Sequence, residues 1–310
     1  MKNKFRSNVL LVALLLALTG CTHLSLSQSL KVLPDQGPVR LEMRPTIGTG
    51  DTSDYRSVTV TKSKPNAQAQ QETTDEFNFT VDTKVTHVDN VNNLATYRIN
   101  VLKKDGPGEL ADFAMPDIGE TLDLVLTRDG QVVKAGDYPP GSLYYVAPTS
   151  LPKDDVKVGD TWLMRAEWVS LKSGVPMHLE VVSTLKSIRD CGAIGRCAEI
   201  EISGDETIIG AASNPLSSKV VTGKTPKKAQ PIVEDVKMRF KSEMKGRVLF
   251  SIEKGAVLFS YMRSEEHMTG EKDTLDSDSC MTSTLVKPEA ERSPIQAPAK
   301  CDPHGEIQSF

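Results

Sequence analysis

Cysteine is the side chain with the most chemistry open to it in this sequence. There are five: Cys21, Cys191, Cys197, Cys280 and Cys301. An odd number in an exported chain calls for an explanation. Setting Cys21 aside as a modification site leaves four, and four thiols allow three pairings. Closeness in sequence favours Cys191–Cys197 and Cys280–Cys301, which an oxidising compartment would permit. The competing reading is metal binding by thiolates, but Cys191-x5-Cys197 has no nearby histidine and does not match zinc spacing.

Other reactive types are scattered. His23, His87, His178, His267 and His304 form no His-x-x-x-His pair, and no Gly-x-Ser-x-Gly elbow occurs. Gly223-Lys224-Thr225 resembles the end of a phosphate loop, but Ser218 stands where that loop needs glycine. Gly48-Thr49-Gly50 lacks the third glycine of a dinucleotide turn, and Asp273 to Asp278 lacks the glycine and terminal glutamate of a calcium loop. No metal and no cofactor are expected, and no catalytic residue is assigned. A triad needs no local signature, so His178 beside Glu180 and His87 near Asp89 are the only handles for a hydrolase reading.

Two surface features suit binding. Tyr138, Tyr144 and Tyr145 place half of the six tyrosines in one loop stiffened by Pro139 and Pro140. They serve either as a binding rim or as a seal over the core edge. Lys219, Lys224, Lys227 and Lys228 form a basic patch, suited to anionic groups or simply to solvent.

The N-terminus says where such a chain works. Lys2, Lys4 and Arg6 precede ten consecutive apolar residues, Val9 to Leu18, then Thr19-Gly20-Cys21. That is the layout of a secretory leader, well short of the ~20 apolar residues of a spanning helix. The pattern resembles the lipobox of bacterial lipoproteins. The resemblance implies removal of residues 1–20, triacylation of Cys21 and a tether over 21–37. Thr22 rather than aspartate after Cys21 implies the outer membrane, facing the periplasm. Loss of Lys2, Lys4 and Arg6 takes the net charge from −4 to −7. An acidic chain of this kind is not expected to bind nucleic acid.

The rest of the chain reads as strand. Phe77, Phe79, Val81 and Val85 alternate with polar residues, and after a turn so do Ala95, Tyr97, Ile99 and Val101. The same period recurs at Val39–Met43, Leu122–Leu126, Trp162–Trp168, Met177–Val181, Ala198–Ile202, Val236–Phe240, Val248–Ile252 and Val257–Tyr261. Asp129-Gly130 signals a hairpin. Helical turns are expected only at Glu109–Met115 and Leu151–Val158. The expected fold is mainly β, a curved antiparallel sheet, half-barrel or β-sandwich of roughly ten to twelve strands. It covers 38–268, with possible duplicated halves 38–147 and 148–268 and an insertion at 210–232. Residues 269–310, with four prolines, are expected as an extended disulfide-bearing tail.

Val158-Gly159-Asp160-Thr161-Trp162, leading into a strand, resembles segments of β-rich Gram-negative lipoproteins without assigned activity. More distantly the layout is similar to the half-barrel of periplasmic lipoprotein carriers, which implies a sheet that holds acyl chains. The expected function is non-enzymatic: an outer-membrane-anchored periplasmic protein binding a lipid or acyl chain on its β domain. The alternatives are an assembly scaffold for an envelope protein partner and, less favoured, a hydrolase.

Overall fold

Strands whose side chains alternate must bury one face, and here they do so by joining one sheet. A computed structural model describes residues 30–34, 36–65, 70–170, 174–208, 239–270, 273–286 and 301–304. Five strands come first: β1 (Gly50–Pro65), β2 (Gln71–Asp89), β3 (Leu94–Asp105), β4 (Leu122–Thr127) and β5 (Val132–Ala135). Six follow: β6 (Thr161–Val169), β7 (Pro176–Asp190), β8 (Arg196–Ile208), β9 (Arg239–Ser251), β10 (Ala256–Thr269) and β11 (Asp273–Val286). The eleven form a single antiparallel sheet in the order β5-β4-β3-β2-β1-β11-β10-β9-β8-β7-β6. A two-sheet sandwich is therefore not the architecture.

Every neighbour is consecutive in the chain except β1 and β11, which join first strand to last. The seam lies between β5 and β6, where the expected halves divide. Both edges reach the same short 3-10 segment, Leu143–Tyr145. Val169 N–H donates to the Gly141 carbonyl at 2.7 Å. The sheet thus curls until its two ends face one connecting loop, which defines an inner and an outer face.

One end of the curled sheet is filled. Segment 38–44 crosses it, with Val39 N–H donating to the Val156 carbonyl at 2.8 Å and Met43 N–H to that of Arg128 at 2.8 Å. Val39 and Leu41 pack with Leu185, Ile200 and Phe250 of one side. Met43 also touches the cluster of Phe79, Val81, Ile99 and Leu122 on the other. Gly255, in the β9–β10 turn at φ +66°, admits this crossing, because a Cβ there would lie 2.3 Å from Arg44 N. Val39–Met43 is accordingly a plug with one isolated bridge rather than a sheet strand.

Several expectations change. Asp273–Val286, assigned to the tail, is the strand that closes the sheet between β1 and β10. Gly50–Pro65 is also a strand. Both are rich in Ser, Thr and Asp, so apolar alternation could not mark them. Their burial is reconciled by pairing, as in Ser264–Ser279 and Ser260–Ser283, each at 2.6 Å between hydroxyls. A 3-10 turn forms at Leu110–Phe113, within the expected Glu109–Met115. Leu151–Val158 is not helical; it is extended and supplies Val156 to the plug. The insertion at 210–232 and the segment Val236 to Met238 lie outside the described residues. Among the described residues no helix is long and apolar enough to cross a membrane.

Candidate functional site: the inner face of the sheet

Register assigns the side chains to faces, since directly paired residues lie on the same side of a sheet. On β6 to β9 the inner face carries Leu179, Val181, Ile200, Ile202, Met244 and Val248. Following the same parity toward the far end gives three rows across the strands. The lowest joins Val181, Gly204, Met244, Ser264 and Ser279. The middle row joins Leu179, Glu206, Ser242, Glu266 and Ser277. The upper one holds Met177, Ile208, Phe240, Met268 and Leu275. Two glutamates therefore sit on a face otherwise built from aliphatic, methionine and serine side chains.

The environment of these carboxyls is unusual. Burial, then the negative charge of Glu266, pushes the Glu206 carboxyl up from 4.5 to about 7. Burial raises Glu266 as well. Between them Ser242 is 1% exposed, and its hydroxyl has no hydrogen-bond partner among the described residues. Neighbouring charges on these strands alternate to the outer face: Asp205, Lys241, Glu243, Glu265, His267 and Asp276. Methionines line the approach. Met164, Met177 and Met244 pack against Trp168, Leu179 and Val181 while staying partly exposed.

The outer face of the same β8 strand handles a glutamate in the opposite way. Glu199 is 2% exposed and accepts hydrogen bonds from Ser187 Oγ and Arg189 Nε at 2.7 Å each and from Arg247 at 2.6 Å. Burial opposes its ionisation, but the bonds from Ser187 and Arg189, the Arg189 charge and the bond from Arg247 outweigh it and hold the carboxyl below its usual range. Arg189 also donates to the Leu30 carbonyl at 2.7 Å, which ties the start of the described chain to β7. This is a structural anchor in which both carboxylate oxygens are engaged, while Arg247 Nε is buried without a partner among the described residues.

The residues singled out by sequence fall elsewhere. Cys191–Cys197 and Cys280–Cys301 are disulfides, with Cα atoms 6.0 and 5.6 Å apart. They point to an oxidising, extracytoplasmic compartment. The second pins residues 301–304 on the outer face, where Tyr261 Oη donates to the Asp302 carbonyl at 3.0 Å. Tyr138 and Tyr144 stack at 3.6 Å between ring centres, Tyr144 Oη donates to the Met115 carbonyl and Tyr145 Oη to that of Tyr138. Tyr144 is a core residue, 4% exposed, and Tyr138 and Tyr145 pack against the same cluster, so the loop closes the seam. His178 lies 3.5 Å from Glu167 on the outer face, and His87 is exposed on β2. Cys21 and Lys219, Lys224, Lys227 and Lys228 lie outside the described residues. No group of three metal-ligating side chains occurs among the described residues.

Two hollows lie near the plugged end. One of about 290 Å3 is edged by Glu42, Arg44, Asp89 and Arg128, and one of about 460 Å3 by Lys153, Asp154 and Asp160. The second is mainly polar and the first divides evenly between such charges and apolar groups such as Met43, Leu94 and Leu126, whereas an acyl chain needs a mainly apolar lining.

Sequence reading missed Glu206, Ser242 and Glu266, though their signal was present. In Ile202-x-Gly204-x-Glu206-x-Ile208 the glutamate occupies an inward position of an alternating strand. Ser242 does the same between Phe240 and Met244.

No family model and no curated protein matches the chain. Among solved structures it is similar to DynF from the dynemicin biosynthesis pathway of Micromonospora chersina. The identity there is 8%, over 84% of this chain and 90% of that one, with a TM-score of 0.22. OpdQ of Pseudomonas aeruginosa matches at 8% identity over 76% and 98%, with a TM-score of 0.21. Ail, the attachment invasion locus protein of Yersinia pestis, matches at 6% over 78% and 100%, with a TM-score of 0.15. At these scores the likeness extends to a mainly β antiparallel sheet, and no activity is carried over from it.

Proposed function

We propose that this chain is a non-enzymatic lipoprotein, anchored through Cys21 to the outer membrane and facing the periplasm, whose β domain binds a hydrophobic ligand such as a lipid or acyl chain. The carrying observation is the inner face beyond the plug, where partly exposed methionines and aromatics line the curled sheet. Methionine is unbranched and polarisable and repacks around varied apolar shapes. The two disulfides fit an exported protein. The leader and lipobox supply the anchor.

Native mass spectrometry of residues 22–310, exported to the periplasm and purified gently, tests the binding reading. A near-stoichiometric adduct that organic solvent removes is the expected result. A bare mass, with no uptake from lipid vesicles, overturns it in favour of a scaffold with its inner face filled by its own side chains. Anchoring has its own test. Cys21→Ser should release the protein from membranes, and membrane retention of that variant would contradict the anchor.

A further inference from the structure

We infer that the row Glu206–Ser242–Glu266 is the head-group position of the proposed binding face and takes a primary ammonium carried on an apolar body. The inference rests on the binding reading above and adds the chemistry of the ligand's polar end.

Three acceptors share one row. Glu206 and Glu266 are each paired across the sheet with Ser242, one from β8 and one from β10. Adjacent strands stand ~4.8 Å apart, so the two carboxyl-bearing backbones are roughly 10 Å apart, and each side chain can lean over the small serine between them. The influence of Glu266 on Glu206 places their charges within electrostatic reach. A primary ammonium has three donors, one for each carboxylate and one for the Ser242 oxygen. An alcohol has one donor, and a quaternary ammonium has none.

Among the described residues the site is short of a cation. On the flanking strands the residues that share this row are Leu179 of β7 and Ser277 of β11, and neither is titratable. The rows above and below it, from Met177 to Leu275 and from Val181 to Ser279, contain no charged side chain on the inner face of β7 to β11. The charged residues Glu180, Asp205, Lys241, Glu265 and Asp276 alternate to the other side. Burial without a counter-charge among the described residues raises both carboxyls, Glu206 to about 7. The Ser242 hydroxyl, buried and unpartnered among the described residues, is a second and independent mark of a missing partner. A divalent metal fits poorly, because calcium takes 6–8 oxygen ligands and two carboxyls with one hydroxyl leave most of that shell unfilled.

The apolar body has a place as well. Ile208, Phe240 and Met268 border the row on one side and Met244 on the other. Val181 and Met262 pack over the two glycines of this face, Gly204 and Gly246, and add to its apolar surface. A Cβ at Gly246 would lie 2.4 Å from Met262 Sδ, so that methionine lies flat across the sheet there.

The experiment compares three twelve-carbon probes on the full mature chain by calorimetry: dodecylamine, dodecanol and dodecyltrimethylammonium. At pH 8 the amine should bind at least about tenfold more tightly than either of the others, and that margin should shrink as the pH falls to 5.5 and Glu206 takes up its proton. In Glu206→Gln/Glu266→Gln the margin should disappear while dodecanol affinity persists, which also reports that the variant is folded. Equal affinity for amine and alcohol on the unaltered protein overturns the ammonium assignment and leaves the apolar face standing. So does a margin that survives the double substitution. Failure of all three probes to bind overturns the binding face itself.

Discussion

Glu199 and Glu206 lie seven residues apart on one strand and meet opposite fates. The odd spacing sends them to opposite faces. On the outer face Glu199 is locked by Ser187, Arg189 and Arg247, and its carboxyl is held ionised. On the inner face Glu206 lies, among the described residues, between Leu179 and Ser242 with Glu266 beyond, and burial keeps its proton on to about 7. Equal residues in one strand thus divide into a completed network and an incomplete one. A carboxylate whose oxygens are all engaged holds structure, whereas carboxyls and a hydroxyl without donors among the described residues leave hydrogen-bonding capacity unused.

The largest expected effect breaks the completed side. Glu199→Ala leaves the buried Arg189 without its carboxylate and Arg247 with only the more distant Glu201 at 3.7 Å, and removal of one partner from a buried pair typically costs ~3–5 kcal/mol. Urea unfolding at pH 7 should show a loss of that size. A change below ~1 kcal/mol would mean the network is not the anchor described here.

The inner pair should respond with the opposite sign. Folded Glu206 keeps its proton between 4.5 and about 7 while the unfolded chain has lost it, so the stability it lends is full below 4.5 and is lost as the pH rises through 7. Glu206→Gln/Glu266→Gln removes that loss. The variant should match the unaltered protein near pH 4 and gain about 1–3 kcal/mol over it at pH 8, within the range for relieving a buried unpaired group. Glu199, with its carboxyl held low, contributes in the reverse window: its share is present above 4.5 and fades as the pH falls through its depressed value. Denaturant midpoints measured across pH 4–8 test both signs at once.

A smaller gain sharpens the contrast. Ser242→Ala deletes a buried hydroxyl that has no partner among the described residues and should stabilise the unliganded protein by ~1 kcal/mol. A loss of stability instead would mean that the hydroxyl is satisfied. Least of all should follow from Arg98→Ala. It breaks two 2.9 Å bonds to Asp123, but in solvent-exposed geometry, where such a pair contributes little and the denaturant midpoint should barely move.

How much of this was readable beforehand follows from what alternation can and cannot report. Strands β2, β3, β4, β7 and β8 announced themselves, because Phe, Val, Leu and Ile alternate with polar residues over several turns of the pleat. Strands β1 and β11 did not. Their inward positions hold Ser57, Thr59, Ser277 and Ser279, which are tolerable inside only because neighbouring strands supply backbone bonds and partner hydroxyls. The closing pair of the sheet therefore depends on long-range pairing that no local window contains. Disulfide pairing was legible from spacing, and both bonds form. Tyr138, Tyr144 and Tyr145 read as either a binding rim or a seal over the core edge, because tyrosine suits both; the return of β5 and β6 to the same loop is what packs them into the seam. The Glu206–Ser242–Glu266 row was visible as polar residues in inward positions, yet its meaning required knowing that three strands set those positions side by side.

The most direct measurement is the titration of side-chain carboxyls by carbon-13 NMR on selectively labelled protein, with Glu199→Gln and Glu206→Gln used to assign the two resonances. Glu206 should titrate near 7 and Glu199 below the ordinary glutamate range. Titration of both between 4 and 4.5 would contradict the division of the two faces and, with it, the incomplete site on the inner one.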